Sequence, residues 1–318
     1  MKKVVTIGGG TGHSQVLKAL KDVFDIEITG ICPSTDSGGS TGVLKREYDG
    51  NGYVGDLTKC ISALCNNDIL RKALSYKYEN GPLDNHSVKN ILFHALEKVG
   101  GVEESLKAMW EVCGLGKHRV IPVTNEKAEL CAALSIGNTI FGEANIDTIS
   151  KNPLWNPSVH SISDIYLKPN VKASDIAVDA IKESDYIIVC PGDLYTSIIP
   201  ILLPGGVKQA IEESNAKIIL ILNIMTKKGE TDNYTGLAFV DKIEKHLGKK
   251  VNHILYNNSP IPTHILLKYS IEQKVEFGLL DGTLDSRVIP APLVMITESE
   301  QVLSNPKTME DVFRKLIQ

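Results

Sequence analysis

Residues 3–12, Lys3-Val4-Val5-Thr6-Ile7-Gly8-Gly9-Gly10-Thr11-Gly12, decide the fold. A short run rich in β-branched residues ends in three glycines, a threonine and a fourth glycine. This pattern reads as a buried strand entering a turn that glycine permits. His13 to about Lys21 reads as a helix, and residues 26–32, Ile-Glu-Ile-Thr-Gly-Ile-Cys, as a second strand. Strand, helix and strand in that order form a βαβ unit, whose crossover is right-handed and whose strands are parallel. The opening therefore predicts an α/β fold built on a parallel sheet.

Three more loops follow apolar runs in the same way. They are Thr35-Asp36-Ser37-Gly38-Gly39-Ser40-Thr41-Gly42, Pro191-Gly192-Asp193-Leu194-Tyr195-Thr196-Ser197 and Met225-Thr226-Lys227-Lys228-Gly229-Glu230-Thr231. In an open parallel sheet, loops at the carboxyl ends of strands line one crevice. Glycines let a ligand approach the backbone, and N–H groups at a following helix start attract anions. The four loops together predict a site for a phosphorylated, nucleotide-like ligand.

Between the second strand and the next, residues 54–65, 68–78, 87–98 and 102–113 read as amphipathic helices, a helical insertion over about 54–113. Residues 119–124, 129–136 and 139–143 read as strands, the last two joined by a Gly137-Asn138 hairpin signal. Residues 160–167 are expected to pair with them, placing an antiparallel element on the parallel sheet. From 173 onward helices and strands alternate, with a strand at 292–296 and a closing helix at 307–317.

The bulk numbers exclude several classes. Apolar residues are 42% and charged residues 23% of 318, an ordinary globular balance. The net charge of −4 leaves no basic excess for general nucleic-acid binding, although a local positive pocket is compatible with it. Six cysteines, with no C-x-x-C pair and no zinc spacing, suggest buried thiols in a reducing compartment. No apolar run reaches the roughly 18 residues of a spanning helix, and no signal peptide precedes the first strand. The expectation is a cytoplasmic protein with no membrane span, with self-association left open.

Gly9, Gly10, Thr11 and Gly12 read either as a tight strand-to-helix turn or as a phosphate cradle of N–H groups. His13 stands where a dinucleotide fingerprint has its third glycine. Asp36 lies about where a ribose-binding acid would stand, and Ser37, Gly38 and Gly39 behind it can form a second nest of N–H groups. Asp56 reads as a helix cap or, with Asp36, as a weak ligand pair for a hydrated divalent ion such as Mg2+. His86, Ser87 and Asn90 open a helix; His86 could cap, donate to a phosphate or act as acid/base. Gly192, Asp193, Tyr195 and Thr196 combine flexible backbone with hydroxyls, as do Asn223, Thr226 and Thr231 in the last loop. Such groups suit sugars and phosphates. A nicotinamide dehydrogenase is disfavoured by the imperfect fingerprint and the lack of a hydride-transfer His/Arg pair.

These residues carry a resemblance. Gly-Gly-Gly-Thr-Gly at 8–12, D-x-G-G-S-x-G at 36–42, Gly-Asp at 55–56, H-S-x-x-N at 86–90, P-x-T at 122–124, Gly-Glu at 142–143, PGDLYTSIIP at 191–200 and NIMTKKGETDNYT at 223–235 resemble the gluconeogenesis-factor (YvcK-like) family. That family is related to 2-phospho-L-lactate transferase (CofD-like). The resemblance spans about residues 1–260 and implies a single Rossmann-like, three-layer α/β/α domain over 1–318. It also implies a regulator that binds UDP-sugars and affects carbon metabolism and cell shape; a phospholactyl-type transferase with a nucleotide donor is the alternative. Some positions depart from the family pattern. Ser37 replaces a second aspartate, Thr58 and Lys59 replace Arg-Asn, and Val88 and Lys89 replace Leu-Gly. Ser304-Asn305-Pro306 stands where Arg-His-Asp is expected. Lys59 and Lys89 offer replacement charge near the phosphates, and the lost residues argue against transferase chemistry.

Overall fold

The computed structural model describes residues 1–157, 159–271 and 285–317. Its centre is a parallel sheet of seven strands in the order β10-β9-β8-β7-β1-β2-β3. These are β1 (Lys2–Ile7), β2 (Ile26–Cys32), β3 (Arg119–Pro122), β7 (Tyr186–Val189), β8 (Lys217–Ile221), β9 (His253–Asn257) and β10 (Val288–Ala291). Their sequences are nearly continuous apolar runs because both faces are covered; all four residues of β7 are buried.

From β1 the chain moves one way to β2 and β3, and from β7 the other way to β8 and β9. Right-handed crossovers in opposite directions put their helices on opposite faces. On one face α1 (Gly10–Lys21) packs with α3 (Val54–Leu64) and the closing α12 (Pro306–Leu316). On the other, α7 (Asp175–Lys182) packs on α9 (Val207–Glu213), and α10 (Gly236–Leu247) packs on α9 and α8 (Ile199–Leu202). The mostly parallel sheet flanked by helices agrees with the sequence expectation.

The helical insertion begins earlier than predicted. α2 (Gly39–Glu47) takes over half of the expected second loop, and α3, α4 (Asp68–Ser75) and α5 (Val88–Val112) follow. The two helices expected over 87–113 run on as α5 across a break at Gly101, whose φ of 76° no helix accommodates.

The antiparallel element forms as expected but as a sheet of its own. β4 (Glu129–Leu134) lies between β5 (Thr139–Phe141) and β6 (Ile162–Lys168). The short α6 (Glu143–Asp147) follows β5 and carries this sheet's acids back toward the main sheet. The predicted strand at 292–296 is β11 (Val294–Ile296), paired antiparallel with β12 (Val302–Ser304) in a two-stranded ribbon. Its partner β12, β10 and α11 (Thr263–Ile271) are not read from the sequence.

Candidate functional site

The strand order reverses between β1 and β7. Loops leaving these strands diverge to opposite faces and open a crevice at their carboxyl ends. A cleft of about 430 Å³ lies there, lined by Thr11, Gly12, Pro191, Gly192, Asp193 and Asn223–Lys227. Its far wall is Tyr269 with β12, Val302 to Ser304. Three of the four expected loops thus meet in one cleft. The second loop lies on the other flank of the first, connected to it through Asp56.

The first loop is shaped by glycine and by a histidine. Gly10 has a φ of 62°, a left-handed backbone that glycine adopts without strain. A Cβ on Gly12 would lie 2.0 Å from the Pro191 carbonyl oxygen, so the first and third loops touch backbone to backbone. The ring of His13 is buried: Nδ1 donates to the Gly8 carbonyl at 2.7 Å, and Nε2 lies 2.7 Å from the Thr6 hydroxyl. The histidine in place of a third glycine braces the loop onto β1. Its contact with buried Cys32 and Cys60 is part of the core under the loop.

Asp56 is not a helix cap. Tyr53 takes that position, and Asp56 sits in the first turn of α3, where Oδ1 accepts the Gly10 N–H at 2.8 Å. One N–H of the expected cradle is therefore already bonded to an anion of the protein. Thr11 and Gly12, also in the first turn of α1, remain on the cleft.

Asp36 accepts the Gly38 N–H at 2.9 Å, and Glu143 accepts the Ser37 N–H at 3.2 Å. The Ser37 hydroxyl accepts the Ala144 N–H at 3.0 Å. Gly38 caps α2 and Gly39 is its first residue. Burial, then the Asp36 charge, push the Asp56 carboxyl up to about 7. The same two causes push Glu143 up to about 8, and burial raises Asp36. Among the described residues none of the three forms an ion pair. Oxygen donors of this kind suit a hard divalent cation. The three acids are nevertheless not drawn into a tight ligand group, since the oxygen cluster that does close up is Asp147, Asp193 and Glu230.

His86, Ser87 and Asn90 stand behind the second loop. His86 Nδ1 lies 2.9 Å from the Ser40 hydroxyl. Asn90 donates to the same hydroxyl at 3.2 Å and accepts from the Thr58 hydroxyl at 2.7 Å. Ser87 caps α5 without a side-chain cap bond. Thr58, a departure from the expected arginine, is thus a member of a buried polar chain.

The third and fourth loops are tied together. The Asn223 side chain accepts the Gly192 N–H at 3.0 Å and donates to the Gly192 carbonyl at 2.7 Å. Lys227 contacts Asp147, lies 2.6 Å from Asp193 and lies 3.5 Å from Glu230. Burial opposes the Lys227 charge, but Glu230, Asp193 and Asp147 outweigh it and hold its pKa above the usual lysine value. Buried Glu230 accepts the Tyr195 N–H at 2.7 Å and the Thr196 hydroxyl at 2.9 Å.

Not every expected contact group faces the cleft. The Tyr195 hydroxyl pairs with Tyr234, the Thr196 hydroxyl with Glu230, and Thr231 closes its own loop by accepting the Lys227 N–H at 2.8 Å. These three hydroxyls organise the loops from inside. Asp193, Asn223 and Thr226 do line the cleft. Glu143, Lys227 and Glu230 lie in motifs quoted from the sequence but receive no role there, and Asp147 is not singled out; a lysine and a glutamate three apart in a polar loop give no sign that one will be buried.

A family model described as 2-phospho-L-lactate transferase CofD matches residues 4–293. The chain belongs to this CofD-like family. Relatives within it support the same placement. A Thermotoga maritima protein that carries the provisional name gluconeogenesis factor is 37% identical over 272 residues, covering 85% of this chain and 83% of the relative. The Halalkalibacterium halodurans protein named gluconeogenesis factor is 33% identical over 285 residues, covering 88% and 84%. A crystal structure of a UPF0052 family member from Bacillus halodurans superposes with a TM-score of 0.89 at 30% identity, covering 98% of this chain and 99% of that one. Among the described residues no helix is long and apolar enough to cross a membrane.

Proposed function

We propose that this family member is a cytosolic regulatory protein that binds a nucleotide sugar of the UDP-sugar type. One observation carries the reading: glycine- and hydroxyl-bearing loops from β1, β7 and β8 line a single cleft at the reversal of strand order. In this reading the first turn of α1 receives the diphosphate. Asp193, Asn223 and Thr226 meet the hydroxyl-rich part, and the wall of Tyr269 and Val302 meets the base. The first-loop residues Gly9, Gly10, Thr11 and Gly12 stand at the phosphates, and Asp36, Ser37, Gly38 and Gly39 of the second loop, with Asp56 of α3, flank that loop on its other side. His86, Ser87 and Asn90 support the second loop. Relatives named gluconeogenesis factors support a tie to carbon metabolism, and the sequence resemblance extends it to cell shape. Six free, buried thiols fit the cytosol.

A thermal-shift screen of nucleotides and nucleotide sugars, with and without magnesium, tests this, because a ligand bound only by the folded state raises apparent stability. A shift with UDP-sugars and no turnover is the expected result. No shift with any nucleotide would overturn it.

A second reading has one observation in its favour. The matching family model is named for a phospholactate transferase, and the raised acids Asp56 and Glu143 could hold a proton or a divalent ion beside the phosphates. Steady magnesium-dependent transfer from a nucleotide-linked phospholactate, followed by phosphorus NMR, would promote it.

A further inference from the structure

Away from the cleft, the helical insertion and α1 enclose a depression of about 200 Å³ lined by Ser14, Lys18, Lys59, Ser62, Ala63, Arg71, Lys72, Ser75 and Lys89. Five cationic residues and three serines line it, and no acidic residue does. The spacing is helical. Ser14 and Lys18 are one turn apart on α1; Lys59, Ser62 and Ala63 share a face of α3; Arg71 and Ser75 share one of α4. Packing α1, α3, α4 and α5 together brings these faces to one point in a chain whose net charge is −4.

Two observations mark this as more than a solvated basic face. First, its cations are poorly neutralised. Arg71 pairs with Asp68 at 2.8 Å, an acid 75% exposed, but Lys18, Lys59, Lys72 and Lys89 form no ion pair among the described residues. Lys59 donates to the Thr11 hydroxyl at 3.5 Å and is close enough to Asp36 and Asp56 to favour their charged forms, without a direct ion pair to either. Burial and the Arg71 charge lower the Lys18 pKa, and burial and the Lys59 charge lower that of Lys89. Second, the Ser62 hydroxyl is buried, with the residue 4% exposed, and has no hydrogen-bond partner. A buried hydroxyl left unpaired costs free energy unless something bonds to it. An anion in the depression would relieve the repulsion among the lysines.

We propose that this depression is a second anion site, separate from the nucleotide cleft, which takes a small phosphorylated metabolite with two or more negative charges. Such a ligand fits because a compact polyanion can meet several ammonium groups at once. The depression and the cleft share no lining residue, although Lys59 of the one contacts Thr11 of the other, so pyrophosphate protection and UDP-sugar affinity can be read separately. Lys59, which touches Thr11 from one side and lines the depression from the other, would sense both occupants.

The probe is inorganic pyrophosphate, applied to the full chain. Lysine acetylation read by mass spectrometry should slow several-fold at Lys18, Lys59, Lys72 and Lys89, with exposed Lys208 and Lys245 unchanged. The double variant Lys18→Ala/Lys72→Ala, both exposed in the parent, should keep its melting temperature. It should weaken pyrophosphate by roughly tenfold or more, while UDP-sugar binding by calorimetry stays within about twofold. Gly10→Val should leave the protection intact. Absence of protection, equal pyrophosphate affinity in the double variant, or competition between pyrophosphate and a UDP-sugar would overturn the proposal. So would protection of the same lysines by a single-stranded RNA but not by pyrophosphate.

Discussion

Two groups of three acids flank the first loop, and they are in opposite states. Asp147, Asp193 and Glu230 close around the Lys227 ammonium. Among the described residues Asp36, Asp56 and Glu143 have no bonded cation; each accepts a backbone N–H, and Asp36 also accepts the Thr41 hydroxyl. In the first group, charges cancel inside the protein, and the acids act as a joint between α6 and the third and fourth loops. In the second, burial and mutual repulsion keep Asp56 near 7 and Glu143 near 8. These acids keep their raised pKa values because no cation of the protein offsets them directly. The residue types are the same. What separates the groups is whether the fold delivers a lysine, and that decides which side of the site is rigid and which responsive.

The largest effect should come from removing that lysine. Lys227→Met leaves Glu230 buried with no cation, and taking one partner from a buried pair costs about 3–5 kcal/mol. Thermal denaturation should show a drop of many degrees, partly restored by adding Glu230→Gln. A melting temperature equal to the parent's would mean that the clamp is not a joint.

Gly10→Val comes next and acts on the boundary between the two groups. Valine at a φ of 62° is strained, and its side chain would meet Asp56. We expect folded protein with nucleotide-sugar binding weakened roughly ten- to hundredfold, by the loss of hydrogen bonds to a charged group. Unchanged affinity by calorimetry would make the first loop only a turn.

Asp56→Asn tests the unpaired group through pH. A carboxyl whose folded pKa lies above its unfolded value binds its proton more tightly when folded, so stability falls as pH rises between the two. For Asp56 the window runs from 3.8 to about 7. The neutral variant should therefore gain melting temperature over the parent across that window and hold the gain above it, each kcal/mol appearing as about 2–4 °C. An offset that does not change with pH would show that Asp56 is not raised.

Magnesium should produce the smallest change. If the Asp36, Asp56 and Glu143 group accepts a weak divalent ion, a concentration near Kd stabilises by only about 0.4 kcal/mol. The shift should vanish in Asp56→Asn and persist in Lys227→Met. The opposite pattern would move the metal to the Asp147, Asp193 and Glu230 group, with lysine serving as its substitute.

Much of this molecule was determined by sequence alone. Apolar runs such as Tyr186–Val189 cannot be solvated on either face, so a parallel sheet covered by helices follows from local pattern. The glycines at 8–12 likewise announce a close approach, and Gly12 does meet the Pro191 backbone. Tertiary structure decided the rest, because a side chain's partners depend on where distant elements end. Asp56 bonds Gly10 across 46 residues, and Lys227 finds Asp147 across 80. Tyr195 and Thr196, which read as ligand contacts, turn inward because Tyr234 and Glu230 arrive beside their hydroxyls. The cations at 18, 59, 71, 72 and 89 look like ordinary helix surface until four helices pack them around one depression. Local pattern records what a segment must bury; only the packed fold determines which charges face one another and how each is satisfied.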